Sequence, residues 1–139
     1  ALSALPPATR AAVIELGVVA DADVPALFHL ASVVALPSLH EGFGLAALEA
    51  LAAGIPLVAS GQRPFTEFLD PSCATLIDPY SVAYIADGLR RALEAPAAQC
   101  AAGRRRARKH SWSAVAAAHA SSYERTIDDA RDALPRSLA

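Results

Sequence analysis

Two glutamates, Glu41 and Glu49, stand with seven residues between them, and the glycines Gly42 and Gly44 open that interval. Carboxylates at this spacing can accept hydrogen bonds from hydroxyl groups at two separated points of one ligand. The glycines let backbone N–H groups come close to that ligand, with positive φ available at little steric cost. The apolar spacing of Leu45, Leu48 and Leu51 predicts a helix over about Gly44 to Ala53, ended by Gly54. The amides of Gly44, Leu45 and Ala46 then fall among the unpaired donors of a helix start, at the positive end of its dipole, which suits a diphosphate. From Gly44 to Glu49 the axial rise is about 7–8 Å. Hydroxyls at both ends with phosphates between them describe a nucleotide-sugar. Taken singly, either glutamate reads as an ordinary helix-end or solvated charge; the combination carries the assignment.

Another class of site has a claim on the same residues. Gly42-Phe43-Gly44-Leu45-Ala46-Ala47 formally matches the dinucleotide fingerprint. In that fingerprint the first glycine follows its strand almost directly, whereas Gly42 stands six positions after Leu36. The next strand should also end in an acidic residue for the ribose, and here it ends Ala59-Ser60-Gly61-Gln62. The match is read as accidental.

The elements that must position these residues alternate between short β-like runs and helical stretches, the pattern of a parallel sheet with helices on both faces. Strands are predicted at Val13–Gly17, Ser32–Leu36, Ile55–Ser60 and Ala74–Ile77. The second is apolar throughout, as expected of a strand buried on both faces. Asp21 and Asp23 offer caps for a helix over about Val24 to Ala31. A short helix is expected around Pro64 to Leu69, one from Ser81 to about Leu93, another before His110, and a long last one capped by Ser111 or Ser113. Trp112 is expected to pack that last helix against the body. The fold class is therefore α/β, a Rossmann-like parallel sheet with flanking helices. A doubly wound domain usually has five or six strands. The four here begin almost at the first residue, so the reading expects a domain truncated at its N-terminal side. Residues 1–134 are read as that partial domain and 135–139 as a fraying tail.

Composition narrows the function classes. The 139 residues are 54% hydrophobic and 19% charged, with a net charge of −2, which disfavours a dedicated nucleic-acid binder. No apolar run reaches the roughly 18–20 residues of a membrane span, and Ala1 to Arg10 lacks the layout of a signal peptide. Cys73 and Cys100 have no metal-type spacing and read as free thiols of an intracellular, cytoplasmic protein.

The Glu41-Gly42-Phe43-Gly44-x4-Glu49 core, preceded by Leu36-Pro37-Ser38, resembles the signature of retaining GT-B glycosyltransferases, family 4 in particular. Leu16-Gly17-Val18-Val19, Asp23 to Phe28, Ala53 to Ser60, Glu67, Asp78-Pro79 and Ser111-Trp112 also resemble residues that recur in the family. The resemblance implies the C-terminal, donor-binding half of a GT-B fold and a hexosyltransferase-like enzyme, with no metal or other cofactor required by the motif. Glu41 would accept from donor-sugar hydroxyls and is the one residue with a candidate catalytic part. The amides of Gly42, Phe43 and Gly44 would lie along the sugar and distal phosphate, with Leu45 at the diphosphate and Glu49 on the ribose. The partners implied are a nucleotide-diphosphate sugar and an acceptor sugar or lipid held by an N-terminal domain outside this sequence.

The departures from the family matter as well. The family's phosphate-binding Arg and Lys precede everything in this sequence, so the chain alone is expected to be inactive. Arg63 is a secondary candidate for positive charge at the donor, and His40 a secondary candidate for donor or acceptor contact. His29, His110 and His119 read as helix-surface or packing residues. The run Arg104 to Lys109 reads first as a solvated helix end and second as a peripheral contact with the inner face of a membrane. Two other functions stay open at this point: a non-catalytic nucleotide-sugar-binding module, and a sugar-nucleotide epimerase of GT-B type.

Overall fold

Three short runs of β-forming residues pair in parallel to make the sheet, and helices that carry apolar stripes cover it. The structure is a computed structural model that describes residues 2–133; the tail expected from Leu134 onward lies outside them. A 3-10 turn at Leu2–Ala4 leads to α1 (Pro7–Ala11) and α2 (Val24–Leu30). Then come β1 (Val34–Leu36), α3 (Leu45–Ala53), β2 (Leu57–Ser60), α4 (Phe65–Phe68) and β3 (Thr75–Ile77). The chain continues through α5 (Val82–Leu93), α6 (Ala97–Arg108) and α7 (Trp112–Ala133).

The strand order is β1-β2-β3, all parallel, with Leu36 opposite Ala59 and Ser60 opposite Ile77. All three strands therefore end at one edge, where the loops 37–44, 61–64 and 78–81 gather. β2 is central and fully buried, and its alternation divides the core in two. Leu57 and Ala59 join Ala47, Leu48, Leu51, Phe65 and Phe68 on one face. Val58 joins Ile77 on the other, covered by Ala92 of α5.

Two expectations about strands need correction. Val13–Gly17 is not a strand: its residues are exposed, Ile14 by 81%, and among the described residues no strand pairs with them. Gly17 has a φ of +64°, which takes the backbone out of the extended region. The second strand is shorter than expected and is not buried on both faces. Val34 and Leu36 are half-buried while Ala35 is exposed, because α5 packs chiefly on β2 and β3.

The helix predictions hold more closely. Ser81 caps α5 by accepting from the Tyr84 N–H at 3.4 Å, and Ser111 caps α7 by accepting from the Ala114 N–H at 3.3 Å. Asp23 precedes α2 without a side-chain capping bond. α6 lies close on α3 because Gly103 faces Leu51; a β-carbon there would meet Leu51 Cδ2 at 2.7 Å. Arg106 then ties α6 to the chain after α4, donating to the Phe68 carbonyl at 2.8 Å and pairing with Asp70 at 2.5 Å. α7 has no buried residue over its 22 positions. Trp112 is 86% exposed and does not pack α7 against the body, since the helix leaves the body within its first turn.

Candidate functional site

The loop between β1 and α3 lies at the edge where the strands end, the place where open α/β sheets hold ligands. Gly44 closes it. Its φ of +94° and ψ of 45° lie in the left-handed region, which a side-chain-bearing residue adopts at a cost. Space imposes the same choice, because a β-carbon on Gly44 would stand 2.6 Å from Phe65 Cε1. The Gly44 carbonyl accepts the first bonds of α3, from Ala47 at 3.0 Å and Leu48 at 3.4 Å. The N–H groups of Leu45 and Ala46 thus precede the helical ladder and point toward the loop. Leu45 is 60% exposed.

Glu41 is exposed, and its Oε1 accepts from the Gly42 N–H at 3.0 Å. The carboxylate assigned to a sugar is therefore folded back over an amide assigned to the same ligand. Glu49 is exposed on the outer side of α3 and borders two grooves. One, of about 590 Å³, runs between α2 and α3 past Asp21, Phe28 and His29. The other, of about 770 Å³, runs between α3 and the α6–α7 turn and is also lined by Phe43, Leu45, Arg104, Arg108 and Trp112. Phe43, Leu45 and Glu49 thus share one groove, with two arginines on its far wall.

The secondary candidates sit apart from that groove. His40 is exposed in the same loop as Glu41. Arg63 is on the loop after β2, with its side chain 86% exposed and its Nε 3.8 Å from Glu67 of the next helical turn, an exposed pair of small energetic weight. The basic run is divided: Arg106 turns inward to Phe68 and Asp70, leaving Arg104, Arg105, Arg108 and Lys109 exposed. Among the described residues no three or more His, Cys, Asp or Glu converge as metal ligands, and no helix is long and apolar enough to cross a membrane.

Sequence reasoning missed what backs the loop. Phe43 stacks on Phe68 with ring centroids 5.5 Å apart and planes 19° apart. His110 meets both rings, at 6.2 Å from Phe43 and 5.6 Å from Phe68, and Phe65 leans on Phe68 at 6.2 Å. The i, i+3 spacing of Phe65 and Phe68 marks one helix face and could have suggested a buried pair. Nothing in the sequence joins His110 to them.

A parallel sheet covered by helices, with a glycine loop and a helix start at the strand ends, defines a Rossmann-like α/β fold. Residues 8–110 match the family described as Glycosyl transferases group 1, and the chain belongs to that family. It is 38% identical over 113 residues to an MMP alpha-(1->4)-mannosyltransferase of Mycolicibacterium hassiacum, covering 77% of this chain and 28% of that protein. It is 41% identical over 107 residues to a D-inositol 3-phosphate glycosyltransferase of Mycobacterium avium, covering 73% and 25%. Among solved structures it resembles the sucrose-phosphate synthase of Thermosynechococcus elongatus, with a TM-score of 0.65, 29% identity, and coverage of 74% of this chain and 27% of that one. The chain spans about a quarter of the length of the relatives it matches.

Proposed function

We propose that residues 1–134 bind the nucleotide-sugar donor in a retaining glycosyl transfer of the family 4 type. The observation that carries this reading is the Gly42–Gly44 loop at the strand ends, running through a left-handed Gly44 into the start of α3. In this reading Glu41 accepts from hydroxyls of the donor sugar, and the amides of Gly42, Phe43 and Gly44 follow the sugar and distal phosphate. Leu45 lies at the diphosphate and Glu49 holds the ribose. His40 and Arg63 border the site. The helix-start amides stabilise the leaving nucleoside diphosphate electrostatically, without covalent participation by the protein. A second lobe holds the acceptor, a sugar or lipid, and brings the cations that two carboxylates beside a diphosphate require. The two free cysteines, Cys73 and Cys100, support a cytoplasmic site of action.

The experiment is a comparison of two substitutions in the full-length gene product. Glu49→Ala is expected to weaken nucleoside-diphosphate binding by about 1–3 kcal/mol, the loss of a charge-assisted hydrogen bond. Glu41→Ala is expected to lower turnover while leaving affinity for the free nucleoside diphosphate nearly unchanged. Calorimetric titration and initial rates separate the two. Equal loss of nucleoside-diphosphate affinity in both variants would reverse the placement of sugar and ribose.

A further inference from the structure

The loop on which the proposed function depends has few means of staying in place. Gly42 and Gly44 carry no side chain, and the Glu41 carboxylate is turned back on the Gly42 amide. Phe43 is the one residue of 42–44 whose side chain can tie the loop to the body. Its ring has two aromatic neighbours of different standing. Phe68 is 4% exposed and fixed in the core, and it offers a flat face at 5.5 Å. His110 comes from the α6–α7 turn, where its N–H donates to the Ala107 carbonyl at 3.0 Å. It stands against the Phe43 and Phe68 rings with interplanar angles of 61° and 59°. Phe43 itself remains 47% exposed, so one wall alone would let it slide or lift off.

We propose that His110 is a positioning residue for the donor-binding loop: with Phe68 it forms a corner against which the Phe43 ring rests, and so fixes the direction of the Gly42–Leu45 amides. This rests on the donor reading of that loop. Amides aimed in advance bind an anion without first ordering the backbone, and ordering a two-glycine segment is entropically expensive. α6 holds both members of that corner, because Arg106 grips the Phe68 carbonyl and His110, just past the helix end, meets the Phe68 ring. An aromatic contact of this kind is worth about three- to tenfold in an equilibrium.

The test uses the isotopically labelled protein and its amide NMR signals, with UDP, GDP and ADP as probes. His110→Ala is expected to shift and broaden the Gly42–Leu45 signals without ligand, and to weaken nucleoside-diphosphate binding about three- to tenfold. His110→Phe, which keeps a ring, is expected to restore both. Leu89→Ala, on α5 over the opposite face of the sheet, serves as a control that lowers Tm and leaves the loop signals alone. Should His110→Ala not fold, His110→Gln makes the same comparison. Unchanged loop signals in the His110 variant, with the nucleotide response intact, would overturn the proposal and leave the donor reading standing. So would a loop disturbed equally by Leu89→Ala. A wild-type loop that responds to none of the three nucleotides at saturating concentration would overturn the donor reading, and with it the role of His110.

Discussion

Gly44 is held by two independent constraints, a φ of +94° and the Phe65 ring where a β-carbon would go. Gly44→Ala is expected to destabilise the fold by about 1–3 kcal/mol, measured as a shift in the urea midpoint at constant m-value. Gly42 meets nothing within 4 Å at the corresponding point and has an ordinary φ, so Gly42→Ala is expected to change stability little. The two glycines look alike in the sequence, and the difference between them comes from Phe65, twenty-one positions after Gly44. The spacing of Glu41 and Glu49 was legible because it lies within one loop and one helix. The fold of Glu41 onto the Gly42 amide was not, since no pattern of residue types records a side-chain rotamer. Its effect is that a ligand oxygen reaching that amide exchanges one acceptor for another and releases Glu41.

At the scale of elements, α3, α5 and the capped start of α7 were readable because helix signals are local: a stripe of leucines, a capping serine, a closing glycine. The docking of α6 was not, because it depends on Gly103 against Leu51 and on Arg106 reaching back to Phe68 and Asp70. Inside a basic run, Arg106 cannot be told from its neighbours. Arg106→Ala is expected to cost about 1–2 kcal/mol, mainly through the hydrogen bond lost by the half-buried Phe68 carbonyl, again measured by urea unfolding. The exposed neighbour Arg105→Ala should cost almost nothing. Asp70 adds a pH dependence. Hydrogen bonds from the hydroxyl and N–H of Ser72, and then from the Arg106 guanidinium, hold its carboxyl below the ordinary value of 3.8. A carboxyl with a lowered folded-state pKa stabilises fully above its unfolded value, and that contribution is lost as pH falls through the folded value. Stability should therefore decline below about pH 4 and do so less steeply in Asp70→Asn, as urea midpoints from pH 6 to pH 3 would show.

For the whole molecule, the sheet's direction and the edge carrying the loop follow from alternating strands and helices. The extent of the sheet does not, because a strand exists only where a neighbour pairs with it. Val13 to Gly17 has the composition of a strand and no partner among the described residues. The same contrast governs α7, whose 22 residues, about 33 Å long, have helical periodicity and no buried position. Tertiary packing supplies most helical stability in proteins. Amides of α7 beyond Val115 are therefore expected to exchange with solvent hydrogen orders of magnitude faster than those of α3, as mass spectrometry after deuterium labelling would detect. Equal protection in the two helices would show that α7 is covered in solution.

The chain's single tryptophan is Trp112, and it is 86% exposed on the wall of the groove shared by Phe43, Leu45 and Glu49. An indole in water emits at longer wavelength than one that is covered, and no second tryptophan of this chain contributes to the emission. The molecule thus contains its own optical gauge of that groove. A ligand, lobe or surface that settles over Trp112 will move its emission to the blue and shield it from iodide, whereas an event confined to the α2–α3 groove will leave the spectrum as it was.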